Sequence, residues 1–380
     1  MTSDSFEIAI VGAGIAGASA AYFLAPKARV IVLEREDQPG YHTTGRSAAL
    51  FSETYGNASV RSLTRASRAF YRAPPAGFAA HPLLTPRGVV FFGQKEHGLL
   101  LEAQAGELRA TGGRVEWLKP EEVLARVPAL RPEWAAVGLL EPDAEDIDVH
   151  ALLIGFLRGA RAAGAPLVAD AALEAMDHDG HRWRLHTHAG EIRADIVVNA
   201  AGAWADEVAT LAGATPLGLA PLRRTAIVFE CARHTDTARW PATVDATEDF
   251  YFRPEAGRML ASPADETPSP PCDAQPEELD VALLIDRLQA ATTFDIARIN
   301  SRRAGLRTFA PDRSLVAGFD AERPGFFWLA GQGGYGIQTA PAMGQLVAAL
   351  VKGETLPQPL AEAGVDPSTL DPRRFTPATT

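Results

Sequence analysis

Three glycines, Gly12, Gly14 and Gly17, and an acid, Glu34, seventeen residues after the last of them, are the first residues in this 380-residue chain whose types and spacing imply chemistry. Glycines at this spacing allow a tight turn and let backbone approach a pyrophosphate closely, with its charge on the positive end of the helix that follows. Ile15 and Ala16 lie at the start of that helix. Glu34 is placed to accept hydrogen bonds from the ribose hydroxyls of an adenosine. A glycine triplet alone is weak, but here it lies between a strand and a helix. It does not separate NAD from FAD.

Three later stretches favour FAD. Asp195 to Trp204 is an apolar strand running into a small-residue turn, a second close approach of backbone to cofactor. Gly331-Gln-Gly-Gly-Tyr-Gly336 follows a buried run and opens a helix, whose N–H groups suit the negative charge of a reduced flavin ring. Thr43-Thr-Gly-Arg-Ser-Ala-Ala49 supplies donors suited to phosphates and a ring edge. His186 and His188 alternate on one strand without a third ligand nearby, so no metal site is expected. No nucleophile elbow, zinc-protease motif or Walker loop occurs.

The elements that must position these residues follow from the pattern. Phe6 to Val11, a helix from Ala18 to Leu24, and Arg29 to Leu33 form a strand–helix–strand unit. Helices are expected at Ser59 to Tyr71, Lys95 to Ala110, Asp148 to Ala163, Glu277 to Ala290 and about Gln338 to Val351. Trp183 to Thr187, Glu191 to Val198 and Phe326 to Ala330 read as strands. Thr225 to Glu230, Phe250 to Arg253 and Arg258 to Ala261 suit an antiparallel sheet. Asp265 to Pro276 reads as a Pro-rich solvated connection. The expected fold class is α/β with an α+β second domain. A Rossmann-like FAD-binding domain (1–80, 145–218 and 303–380) interleaves with an antiparallel-sheet substrate domain (81–144 and 219–302).

Composition narrows the partners. Hydrophobic residues make up 47 % and charged residues 22 %, and the net charge is −11. Such a surface repels nucleic acid and anionic lipid. Two cysteines, Cys231 and Cys272, cannot build a disulfide framework, which points to a reducing compartment. The uncharged stretches Ile8 to Pro26 and Pro324 to Val351 are broken by glycines and polar residues, so neither is expected to span a membrane. A cytoplasmic monomer or weak oligomer is expected, membrane-peripheral only through a quinone acceptor.

At these motifs the chain resembles the D-amino-acid oxidase, glycine oxidase and sarcosine oxidase family of FAD enzymes, and within it the bacterial D-arginine dehydrogenases most of all. The segments that carry the likeness are Ala9 to Ser19, Leu33 to Glu36, Pro39 to Ala49, Asn199 to Trp204, Ala304 to Arg307 and Gln332 to Thr339. The resemblance implies two-electron oxidation of a D-amino acid to an imino acid, which water hydrolyses to the oxo acid. It assigns to the cofactor Gly12, Gly14, Ile15, Ala16, Gly17, Glu34 and Arg35. It adds His42, Thr43, Thr44, Gly45, Arg46, Ser47, Ala48 and Ala49, then Ala172, Ala201, Gly202 and Trp204, and last Gly333, Gly334, Tyr335, Gly336, Ile337 and Gln338. Gly305 stands where covalent relatives carry a cysteine, implying non-covalent FAD.

The resemblance also assigns the substrate site. Arg307 and Tyr251 fall at the carboxylate clamp, Arg224 at another arginine of that pocket, Tyr55 at a lid tyrosine, and Gly334 at a carbonyl facing the amine. A guanidinium suits bidentate recognition of a planar carboxylate, and a phenol adds a donor. Leu50, Ser52 and Val89 fall in the side-chain pocket. The D-arginine enzymes carry a glutamate where Val89 stands and a histidine where Leu50 stands, so an apolar pocket is expected, unless Glu53 supplies the charge. The expected activity is a dehydrogenase for uncharged D-amino acids, its acceptor a quinone, a dye-like carrier or O₂. The alternatives are an O₂-using oxidase, an enzyme for N-methyl amino acids, and a flavin-binding subunit without turnover.

Overall fold

In a computed structural model, residues 5–231 and 236–375 are described. Two large sheets organise them. The first has eight strands, in the order Leu173–His178, Trp183–Thr187, Gly190–Asn199, Ser5–Val11, Val30–Leu33 and Leu167–Val168, with Phe326–Ala330 pairing Gly190–Asn199 and Val316–Phe319 pairing Phe326–Ala330. Its centre is parallel: Ser5–Val11 pairs in parallel with Gly190–Asn199 and with Val30–Leu33. Val30 to Leu33 and Phe326 to Ala330 are buried throughout. Continuous apolar runs of this kind belong to strands covered on both faces.

Helices supply one cover. Ile15–Leu24 packs between Val149–Ala162 and Gly336–Lys352, and Ala58–Arg72 packs on Gly336–Lys352. The last of these helices begins at Gly336, two residues before the expected start, and continues through Pro341. Proline has no N–H for the carbonyl four residues earlier. Tyr71 Oη–H donates to that carbonyl, on Ile337, at 2.5 Å, and Ser67 Oγ accepts the Ala342 N–H at 3.1 Å. The kink is thus satisfied from the neighbouring helix.

The second sheet has nine strands, and all but one of its pairings are antiparallel. The exception is Ala242–Asp245, which runs parallel to Val89–Gly93. Ala220–Phe229 and Ile299–Phe309 form its longest ladder. The 299–309 strand has no signature in the sequence, because Asn300, Arg302, Arg303 and Arg307 interrupt it. Only Ala304, Leu306 and Thr308 alternate inward. Arg307 therefore lies within a strand rather than after one.

The 265–276 stretch is not a free connection. Asp265 accepts the Thr225 N–H at 2.7 Å and the Thr225 hydroxyl at 2.9 Å, and Ala274 is buried against Ala203, Ala304 and Leu306. No helix among the described residues is long and apolar enough to cross a membrane.

Candidate active site

The glycine turn is built as its spacing implies. A methyl group on Gly17 would lie 1.9 Å from the Gly12 carbonyl oxygen, and Gly12 itself adopts φ +105°. Only glycine fits either place. Glu34, 7 % exposed, accepts the Ala13 N–H at 2.8 Å and the Glu36 N–H at 3.1 Å. Beside this acid the Arg35 guanidinium lies 4.7 Å from the Trp204 ring centroid, and the His42 ring, tilted by 49°, lies 4.6 Å from the same tryptophan. Ala172 is close by, accepting the His188 N–H next to the Ala171–Glu34 backbone bond. The fold thus gathers Glu34, Arg35, His42 and Trp204 from three segments.

Beyond the glycine turn an open cleft runs between the two sheets. Gly14, Ile15, Ala16 and Gly202 form one wall, and Thr43, Thr44, Ser47 and Ala48 a second. Gly333, Gly334, Gly336 and Ile337 close a third side. Thr44 Oγ1 accepts the Ile15 N–H at 3.0 Å, fixing the 43–49 loop over the helix start. Thr43 Oγ1 donates to the Leu306 carbonyl at 2.9 Å and ties the loop to the second sheet. Gly45 makes the loop's turn, Ala49 packs into the apolar cluster beneath it, and Ala201 stays half-buried in its own turn.

Two assigned residues are spent elsewhere. Arg46 reaches the cleft but donates to the Ala274 and Ala304 carbonyls at 2.9 Å each and ion-pairs with Asp273 at 2.5 Å. Gln338 points into the interior, donating to Thr64 Oγ1 at 3.0 Å and accepting the Ser52 N–H at 3.5 Å. Tyr335 caps the helix and packs its ring on Tyr55 and Phe309. The sequence reading missed two groups. Thr308 Oγ1 and Gln332 Nε2 are buried in the cleft wall without hydrogen-bond partners. Buried polar groups normally find partners, so these suit the polar edge of a planar ring in the cleft. Gln332 lies inside the Gly331 to Gly336 motif, where the glycines carry the signal, and Thr308 lies in the strand whose charged residues hide its period.

At the far end Arg307, Tyr251 and Arg224 share the cleft. Arg307 makes no ion pair among the described residues. Burial disfavours its cation, but Tyr55, Tyr251 and Glu266 outweigh that and hold the guanidinium above its ordinary range. Burial likewise disfavours ionising Tyr251. Arg307 and Arg224, with hydrogen bonds from Ser262 and Arg224, more than offset this and hold the phenol below its ordinary range. A methyl group on Gly334 would lie 3.0 Å from Arg307 Nη1 and press on the guanidinium. Arg224 is partly occupied, donating to the Asp265 carbonyl at 2.8 Å and meeting Glu266 at 3.2 Å. Tyr55, about half exposed, hydrogen-bonds Arg307 from above.

One strand beyond, outside the lining of the cleft, lies an apolar cluster. Tyr251 pairs with Val244, Val244 with Phe91, and Phe91 with Leu139, so these side chains share a sheet face with Val89. Val89 is 5 % exposed and packs in one cluster with Phe91, Leu139, Val244 and Leu50. Ser52 does not face a ligand: its hydroxyl donates to Glu141 at 2.8 Å. Glu53 is also engaged, pairing with Arg68 at 2.5 Å, so it does not replace the missing acid.

Residues 7–350 match the family model described as FAD dependent oxidoreductase. The chain belongs to that family. Glycine oxidase of Geobacillus kaustophilus is 26 % identical, over 91 % of this chain and 93 % of that one. FAD-dependent oxidoreductase domain-containing protein 1 of Bos taurus is 24 % identical, over 91 % and 81 %. The crystal structure of the Geobacillus enzyme superposes with a TM-score of 0.81 at 23 % identity, covering 92 % of this chain and 95 % of that one. L-proline dehydrogenase from P. horikoshii superposes at 0.76 and 22 % identity, covering 98 % of each. This FAD-dependent oxidoreductase therefore has the mixed α/β fold of its family, and its glycine turn, Glu34 corner and unpartnered cleft groups fit the cofactor.

Proposed function

We propose that this enzyme oxidises D-amino acids with uncharged, apolar side chains to imino acids, which water hydrolyses to 2-oxo acids. The observation that carries the reading is Arg307, a guanidinium in the cleft wall beside two tyrosines, with no acid in ion-pair contact among the described residues. A cation without a fixed ion-pair partner is free to take one from a ligand. An α-carboxylate does so, and Tyr251 adds a second donor. FAD, when bound, supplies the two-electron acceptor for the substrate α-hydrogen. The chain's own part is to hold the carboxylate on Arg307 and Tyr251, direct the amine toward the Gly334 carbonyl, and exclude water beneath Tyr55. The substrate ammonium loses its proton to water.

The relatives named glycine oxidase and L-proline dehydrogenase both act on amino acids, which supports a carboxylate clamp without choosing the hand of the substrate. The likeness of the 39–49 and 332–339 stretches to D-arginine dehydrogenases supports the D series. Leu50 and Val89 in one apolar cluster support an uncharged side chain. Electrons leave to a quinone-like carrier or to O₂, and the cofactor is held without a covalent bond.

The test is a panel of D-Leu, D-Met, D-Phe, D-Arg, their L-enantiomers, glycine and sarcosine, with a dye acceptor beside O₂. Anaerobic bleaching of the flavin by D-Leu, D-Met and D-Phe is expected. Turnover of only L-amino acids or sarcosine overturns the substrate assignment. Acid or heat denaturation should release intact FAD, and flavin left on the polypeptide refutes non-covalent binding.

A further inference from the structure

Glu141 ends the strand Val137–Glu141, pairs with Val89 and is 5 % exposed. It forms no ion pair among the described residues. Its Oε1 lies 2.8 Å from Ser52 Oγ and 2.7 Å from Thr54 Oγ1, and those two hydroxyls lie 2.8 Å from each other. Both hydroxyls donate to that one carboxyl oxygen. Burial pushes this carboxyl upward, and Asp143 adds to the rise, against the pull of the Thr54 and Ser52 hydrogen bonds.

The triangle sits where the chain most needs a fastening. The strand Leu50–Phe51 is held by its pairing with Asp146 and Glu145, and Asn57 caps the next helix at the Val60 N–H. Between them, Tyr55 reaches across to Arg307 and packs on Tyr335 at 5.1 Å. A side chain that is half exposed contributes little to holding its own loop. We propose that Glu141 is a positioning residue, a latch that fixes Ser52 and Thr54 so that Tyr55 stays closed over Arg307. It acts through the loop and touches neither substrate nor cofactor. The kinetic part of the proposal rests on the substrate reading above, but the latch itself does not.

The experiment compares FAD-loaded wild type with Glu141→Leu, Glu141→Gln and the double variant Ser52→Ala/Thr54→Val. Amide hydrogen exchange of residues 52–56 should speed at least tenfold in Glu141→Leu and in the double variant, whose strand is untouched. With the best amino acid of the panel, KM should rise at least fivefold in both while kcat stays within threefold. Glu141→Gln should match wild type within threefold, because its amide oxygen accepts both hydroxyls as the carboxyl oxygen does. Unchanged exchange in the double variant overturns the latch. A Gln variant as loose as the Leu variant overturns the two hydroxyl bonds as the fastening. If no D-amino acid turns over, the substrate reading fails while the exchange result still decides the latch.

Discussion

The two ends of the proposed substrate site use charge in opposite ways. At the Arg307 end a guanidinium faces the cleft with phenols as its neighbours and no acid within ion-pair distance among the described residues. At the Val89 end every acid is already engaged: Glu53 by Arg68, Glu141 by two hydroxyls, and Asp146 by Arg87 and Arg253. The contrast shows which charges the fold reserves for a ligand. A charged side chain that its neighbours have satisfied gains little from a substrate, whereas one left unpaired gains the full interaction. Arg224 makes the same point inside one pocket. It stands beside Arg307, yet Asp265 and Glu266 have taken much of its capacity.

The strongest way to break this contrast is Arg307→Ala. Losing the Arg307 cation leaves the substrate carboxylate desolvated, a loss of about 2–5 kcal/mol. Steady-state kinetics should show kcat/KM with D-amino acids falling by about a hundredfold or more, with Arg224→Ala losing distinctly less. Equal losses in the two variants would mean that existing partners do not decide which arginine anchors the substrate. Tyr251→Phe comes next. It deletes one hydrogen bond to a charged group, worth about 1.5–3 kcal/mol, so kcat/KM should drop by about ten- to a hundredfold. A change below threefold would remove the phenol from the clamp.

The smallest expected effect sharpens the other end. Val89→Glu places a second carboxyl beside Glu141 in an apolar cluster, where neither is easily charged without a cation. The ratio of kcat/KM for D-Arg over D-Phe should rise by about tenfold, or 1.4 kcal/mol, through loss of D-Phe and gain of D-Arg. An unchanged ratio would show that Val89 lies outside the side-chain pocket, and a wild type that already prefers D-Arg would show that the cluster is not read as apolar.

Much of the cofactor half was legible in the chain. The glycine spacing, Glu34 and the strand–helix–strand unit depend on residues within about thirty positions of one another, and local backbone geometry dictates their types. Gly12 and Gly17 stand where a methyl group would strike the neighbouring backbone, so their identity reports the turn directly. Apolar runs such as Phe326 to Ala330 reported buried strands for the same reason. The carboxylate clamp was legible only through the family likeness, since Arg307 sits in a strand whose charged residues hide its period.

Tertiary structure decided which of those side chains remain free. Arg46, Gln338, Ser52 and Glu53 have the right chemistry for a site, but Asp273, Thr64, Glu141 and Arg68 reach them from between 15 and 274 positions away. Thr308 and Gln332 look ordinary in the chain and emerge unpartnered at the cleft wall. Hydrogen-bond capacity is used up by neighbours in space, and a linear sequence does not state those neighbours. It determined the cofactor fold and the family because these rest on local steric demands. Only packing settled which charges were left for a substrate.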